Sequence, residues 1–166
     1  MPGTASKRRL MLTVAAAVVA VDALTKALAA HFLAGRGTVP VLGGALRLEL
    51  YRNFAGPHNI FRGDPVLVSL MALAGVAAIA VLALRVRTTA AALAAGLLLG
   101  GGLGNLLDRL LRAPGPLRGG VIDWLRPAWS SGSMNLADLS LTVAVVLILV
   151  MALRRSPGTA GLRHQT

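Results

Sequence analysis

Three aspartates stand out among the residues able to do chemistry. They are Asp108 in Gly104-Asn-Leu-Leu-Asp-Arg109, Asp123 in Val121-Ile-Asp-Trp124 and Asp138 in Asn135-Leu-Ala-Asp138. The 166-residue chain has six acidic side chains, and these three fall within 31 positions. A fourth, Asp22, interrupts an apolar run. A carboxylate at membrane depth is costly and marks function by default. Two carboxylates in one partly dehydrated site cannot both ionise cheaply, so one keeps its proton. Such a pair can hydrolyse a peptide bond without a cofactor. The ionised member takes a proton from water, while the protonated member polarises the carbonyl and later serves the leaving amine. The chain has no cysteine, which removes disulfides, thiol nucleophiles and zinc thiolates, and no Ser/His arrangement competes. His31 and His58 have no partners at metal-ligand spacing, so neither a metal nor a cofactor is expected.

Spacing alone does not choose the pair. Asp108 continues a stripe of Gly96, Gly100 and Gly104 that would let helices approach closely in lipid. Asn105, three residues before it, would then face the bundle interior with Asp108. An ordinary helix end with Arg109 snorkelling to the interface fits the same residues. Asn135 and Asp138 repeat the Asn-x-x-Asp spacing at the start of the last apolar run, where a plain N-cap with a first-turn acid also fits. Asp123 lies among apolar neighbours in a segment expected to dip to the interface, anchored by Trp124 and Trp129; a solvated loop acid is the simpler alternative. Asp22 and Lys26 are spaced to pair along one helix and are expected to be mainly structural, with Asp22 supporting the site.

The elements that must position these residues are membrane spans. The chain is 55% hydrophobic and 4% aromatic. Val66–Leu84 and Thr88–Leu107 are 19 and 20 residues without a charge. Each is long enough as a helix to cross about 30 Å of hydrocarbon. Four helices are expected, over about 10–30, 66–84, 88–111 and 135–153, in a single integral membrane domain covering 1–166. Residues 1–9 form a basic tail, and a cleaved signal peptide at this end is disfavoured because the first run is long enough to span and carries a spaced ion pair. The last apolar run, Leu139–Leu153, is only 15 residues. It spans only if its helix starts near Asn135, which puts Asp138 at the membrane margin. Segments 31–65 and 112–134 lie outside the bilayer. In the first, Leu46–Arg52 alternates apolar and polar and predicts a strand, paired with Thr38–Leu42 across Gly43-Gly44. The fold class is therefore an all-α membrane protein with four transmembrane helices and a small extracytoplasmic β/loop segment.

The net charge is +11. The basic residues gather at the ends of apolar runs and lack the aromatic interleaving of single-strand binders, so membrane lipids and not nucleic acid are the expected partners. Lys7 to Arg9, Arg85 with Arg87, and Arg154 with Arg155 place both termini in the cytoplasm. The aspartate-bearing ends then face outward.

Together the motifs at 104–109, 121–124 and 135–138, with Val21-Asp-Ala-Leu-Thr-Lys26, resemble those of lipoprotein signal peptidase, or signal peptidase II. The resemblance covers roughly residues 10–153. It implies an intramembrane aspartyl peptidase of the bacterial cytoplasmic membrane, active at its outer face. Such an enzyme cuts prolipoproteins just before a diacylglyceryl-modified cysteine. It implies Asp123 and Asp138 as the catalytic dyad, with Asn105, Asp108, Arg109 and Asn135 orienting the dyad or the substrate, Asp22 supporting the site, and Asn53 matching the substrate-lining second motif. One stretch departs. Where the family reads like Asn-x-Gly-Ala-Ala-Phe, this chain has Asn53-Phe-Ala-Gly-Pro-His-Asn-Ile-Phe61. That departure motivates a rival, a non-catalytic paralogue that binds lipidated peptides. A metal-dependent phosphotransfer enzyme using the same acids and a proton-coupled transporter are the more distant alternatives.

Overall fold

The computed structural model describes residues 3–56 and 64–155. Four helices and a three-stranded sheet follow the chain in the order α1 (Thr4–Phe32), β1 (Val39–Val41), β2 (Leu46–Asn53), α2 (Pro65–Ala83), α3 (Thr89–Leu111), β3 (Val121–Pro127) and α4 (Leu136–Arg155). All four helices are long and apolar enough to cross a membrane.

α3 is the centre of the bundle, and α1, α2 and α4 all pack on it. Glycine makes this approach possible. A Cβ on Gly100 would lie 2.6 Å from Val18 Cβ of α1, and one on Gly104 would lie 2.7 Å from Asp22 Oδ2. Gly96 meets Met11 and Val14 in the same way, so the expected glycine stripe is the α1–α3 contact. Gly101, on the neighbouring face, packs against Ala137 and Ser140 of α4. At the far end from the aspartates, Met11, Ala15, Ala83, Ala92, Ala95 and Leu99 form a small buried cluster. The outer faces of α1, α2 and α4 carry exposed Leu, Val and Ile, as lipid contact requires.

Local sequence sets the boundaries. Asp64 caps α2 by accepting bonds of 3.0 Å from the backbone N–H groups of both Val66 and Leu67, with Pro65 as the first helical residue. Thr88 caps α3 through Ala91. Arg85 and Arg87 lie in the short turn between α2 and α3, as predicted.

Two expectations are corrected. α1 starts at Thr4, six residues before the predicted start, and includes Lys7, Arg8 and Arg9. Lysine and arginine are good helix formers, so the basic triplet shows where the helix leaves hydrocarbon and not where it begins. Residues 121–127 form a strand, not a dipping loop. The sheet order is β1-β2-β3, antiparallel throughout, with Asn53 opposite Val121 and Tyr51 opposite Asp123. The β1–β2 hairpin was expected, its strand Val39–Val41 falling inside the predicted 38–42. Pro57, His58 and Phe61 of the divergent stretch lie outside the described residues.

Candidate active site

Asp123 and Asp138 are held by one asparagine. The chain just before α4 runs back along β3: Met134 accepts from Trp124 N–H at 3.0 Å and donates to Leu125 O at 2.8 Å. This delivers Asn135 beside Asp123. The Asn135 side-chain amide donates to Asp123 Oδ1 at 2.6 Å. Its backbone N–H donates to Asp138 Oδ2 at 3.2 Å, and its Oδ1 accepts from the Asp138 N–H at 3.0 Å. The last two bonds are a reciprocal cap between the first residue outside α4 and the third inside it. The capping alternative for Asp138 is therefore correct as local structure. It leaves Oδ1 of Asp138 free to accept from Asn105 Nδ2 at 2.8 Å.

The Asn53 amide completes the ring by donating to Asp123 Oδ2 at 3.1 Å. Asn53 stands opposite Val121 across the β2–β3 pair, and Asp123 is two residues further on, so both side chains emerge on one face of the sheet. Asn53 Oδ1 accepts from Gly56 N–H at 2.9 Å, which fixes the amide's orientation.

Beneath the two carboxylates lies a buried ionic layer. The Lys26 ammonium, with no exposed surface, donates to Asn105 Oδ1 at 3.0 Å. It also stands 2.7 Å from Asp22 Oδ2 and 3.0 Å from Asp108 Oδ2, as charge contacts without a directed hydrogen bond. Asn105 Oδ1 thus accepts from both Lys26 and Asn135, which leaves its NH2 to face Asp138. Asp22 Oδ1 accepts from Ala137 N–H at 2.9 Å and so satisfies an otherwise orphaned donor in the first turn of α4. Asp108 accepts from Ile122 N–H at 3.1 Å and from Arg112, tying β3 to the end of α3. Its cationic partners are Lys26 and Arg112, not Arg109.

Arg109 does not snorkel. It is 4% exposed, and its Nη1 is buried without a partner among the described residues. Its charge acts on Asp123, Asp108 and Asp138. Burial pushes the Asp123 carboxyl up to about 7, and the nearby Asp138 charge adds to the shift. The bonds from Asn53 and Asn135, and the Lys26 charge, pull the other way. The carboxyl is therefore held protonated to a far higher pH than an ordinary aspartate. An acid held in that state beside a second carboxylate suits general acid–base chemistry.

All eight residues singled out from the sequence converge here: Asp22, Asn53, Asn105, Asp108, Arg109, Asn135 and the two carboxylates. Lys26 was assigned only a structural pairing with Asp22, yet it touches Asn105 as well and is the cation of the layer. Its signal was available, since a lysine in an apolar run with one local acid still lies within reach of facing helices.

Comparison with known proteins gives a consistent match. The signature of the family described as Signal peptidase (SPase) II matches residues 14–154. The lipoprotein signal peptidase of Mycobacterium avium is 37% identical over 145 residues, covering 87% of this chain and 79% of that protein. The lipoprotein signal peptidase of Bifidobacterium longum subsp. infantis is 38% identical over 144 residues, covering 87% and 78%. A solved bacterial membrane enzyme, determined by the in meso method at 2.3 Å resolution, superimposes with a TM-score of 0.77. That likeness spans 94% of both chains at 23% identity and concerns the fold.

Proposed function

The chain belongs to the signal peptidase II family, membrane peptidases that remove signal peptides from prolipoproteins, and from that premise we propose that Asp123 and Asp138 are its catalytic pair. One observation carries the assignment. Asn135 donates to both carboxylates, through its side chain to Asp123 and through its backbone to Asp138. Two acids held by a common donor, one of them raised to about 7, share a single proton at neutral pH. The ionised carboxylate takes a proton from a water placed between them. The resulting hydroxide adds to the scissile carbonyl while the protonated carboxyl donates to its oxygen. Collapse breaks the C–N bond: the amine takes the proton gained from water, the diol hydroxyl returns its proton to the other carboxylate as the carbonyl re-forms, and the pair returns to its starting state.

The supporting roles follow from the contacts. Asn105 and Asn135 aim the carboxylates, Asn53 holds Asp123, and the layer of Asp22, Lys26 and Asp108 fixes Asn105 and the start of α4. Arg109, a buried cation with an unpartnered N–H group, is suited to a substrate carbonyl. The substrate is a prolipoprotein whose cysteine carries a diacylglyceryl group, lying in lipid beside the exposed apolar faces. The protein is a multi-pass membrane protein. Basic residues at the opposite end of the bundle support the reading that its termini are cytoplasmic and the two acids lie at the outer face of the bacterial cytoplasmic membrane.

The test is processing of a diacylglyceryl prolipoprotein in a strain lacking its own enzyme. Wild type restores cleavage, and Asp123→Asn or Asp138→Asn abolishes it with the protein still present in the membrane. Cleavage that survives either substitution refutes the pair. Failure of wild type points to the non-catalytic paralogue.

A further inference from the structure

At the end of the bundle away from the two acids, the start of α1 and the α2–α3 turn enclose an open hollow of about 530 Å³. Arg8, Arg85 and Arg87 line it together with Thr4, Leu84 and Val86. A second hollow of about 380 Å³ shares Arg85, Val86 and Arg87 and extends past Leu82 and Thr88. The three arginines are exposed, and none is paired with an acid among the described residues, which include all six acidic side chains of the chain. Lys7 is engaged elsewhere: its ammonium donates to Thr89 Oγ1 at 2.5 Å, which ties α1 to α3 and keeps the hollow's two walls together. The first turns of α1 and α3 contain no acidic residue to offset the positive helix ends.

Helix orientation alone needs basic residues near the membrane surface. It does not need three guanidinium groups around one concavity with an apolar wall. Leu82 and Leu84 at the rim are 64% and 63% exposed, so the wall continues onto the lipid-facing surface. A compact anion with an attached apolar chain would match both halves. We propose that this hollow binds the phosphodiester headgroup of an anionic glycerophospholipid, with its acyl chains lying along Leu82 and Leu84. The site is separate from the carboxylate pair: Arg8 and Asp22 are fourteen residues apart on one helix, about 21 Å along its axis. Inorganic phosphate offers the same charge chemistry but cannot use the apolar wall.

The experiment uses the full chain purified in a neutral detergent. Phosphatidylglycerol, phosphatidylcholine and inorganic phosphate are titrated separately, and binding is read by native mass spectrometry and by thermal unfolding. The expected result is a retained phosphatidylglycerol adduct and a raised Tm, with neither produced by phosphatidylcholine or by inorganic phosphate. Each of Arg8→Gln, Arg85→Gln and Arg87→Gln weakens binding about fivefold, and the triple variant about a hundredfold. A control triple, Arg36→Gln/Arg47→Gln/Arg118→Gln, removes three exposed arginines elsewhere and keeps the adduct. Equal retention of phosphatidylcholine, an unchanged adduct in the groove triple, or equal loss in both triples overturns the proposal. A Tm rise with inorganic phosphate alone overturns it as well, because that assigns a bare anion site. If the groove triple fails to fold, the three single variants decide the matter by the same readouts.

Discussion

Replacing Asn53 by alanine should move the pH at which the enzyme loses activity. Asn53 donates to Asp123 Oδ2 at 3.1 Å, and that bond favours the ionised carboxylate. A hydrogen bond to a charged group contributes about 1.5–3 kcal/mol, and about 1.36 kcal/mol corresponds to one pKa unit. Loss of the bond should therefore raise the carboxyl by about one unit, from about 7 to about 8, if water takes over part of the interaction. In the proposed mechanism a shared proton is needed for turnover, so kcat/KM should fall on the alkaline side as that proton leaves. The assay is cleavage of a lipidated signal peptide in detergent micelles between pH 5 and 9. The free enzyme's ionisation sets the shape of the kcat/KM profile. A lost substrate contact at Asn53 would lower the curve without moving its limb, so the two effects separate. A wild-type alkaline limb far from 7, or an alanine variant whose limb stays in place or moves to lower pH, refutes this account of the pair.

The same carboxyl links pH to stability. Its folded pKa lies above that of the unfolded chain, so the folded state holds a proton that the unfolded state releases. Its neutral form costs the fold nothing below about pH 4, and the fold loses stability as pH rises from there through about 7, by at most about 4 kcal/mol. Asp123→Asn should accordingly raise Tm over wild type at pH 8, with the gap closing by pH 4, as thermal unfolding in detergent will show. Lys26→Met should cost about 3–5 kcal/mol by leaving Asp22 an unpaired buried charge and Asp108 with Arg112 as its one remaining cationic partner. The combination Asp22→Asn/Lys26→Met/Asp108→Asn should recover most of the lost Tm but not the activity. Gly100→Val should destabilise by about 1–3 kcal/mol because its Cβ meets Val18, whereas Gly75→Ala, with open space around it, should be neutral or slightly stabilising. Activity that disappears in chelator would contradict catalysis by the two carboxylates alone.

How much of this was legible in the sequence depended on range. The spans are local: the charge-free run placed the second helix at 66–84, one residue from the observed Pro65–Ala83. The glycine stripe identified a close helix contact, and the short last run located Asp138 at a helix start. β3 was hidden because Val121, Ile122 and Asp123 are all buried, so the strand has no alternating pattern to show. The pairing of Asp123 with Asn135 was hidden for a related reason, since it depends on the chain folding back from Met134 along Leu125. The Lys26 pairing with Asp22 was legible at i+4, but its further contacts were not. Its contacts to Asn105 and Asp108 come from a different helix. Sequence spacing could not separate Asp108 from Asp123. In the fold Asp108 is occupied by Lys26, Arg112 and Ile122, whereas Asp123 accepts only neutral amides.

The cap shared by Asn135 and Asp138 also sets an order of assembly. The two bonds that start α4 are the bonds that hold one carboxylate and bring up the donor for the other. A chain still emerging from the ribosome, with three spans inserted and the fourth unfinished, has Asp123 with Asn53 but lacks Asn135 and Asp138 beside it. With Asp123 and Asp138 as the proposed pair, proteolytic competence would arise only when the final span has entered the bilayer and wound its first turn against Asp22. On the same assignment, fraying of that single turn would switch the enzyme off without unfolding the rest of the bundle.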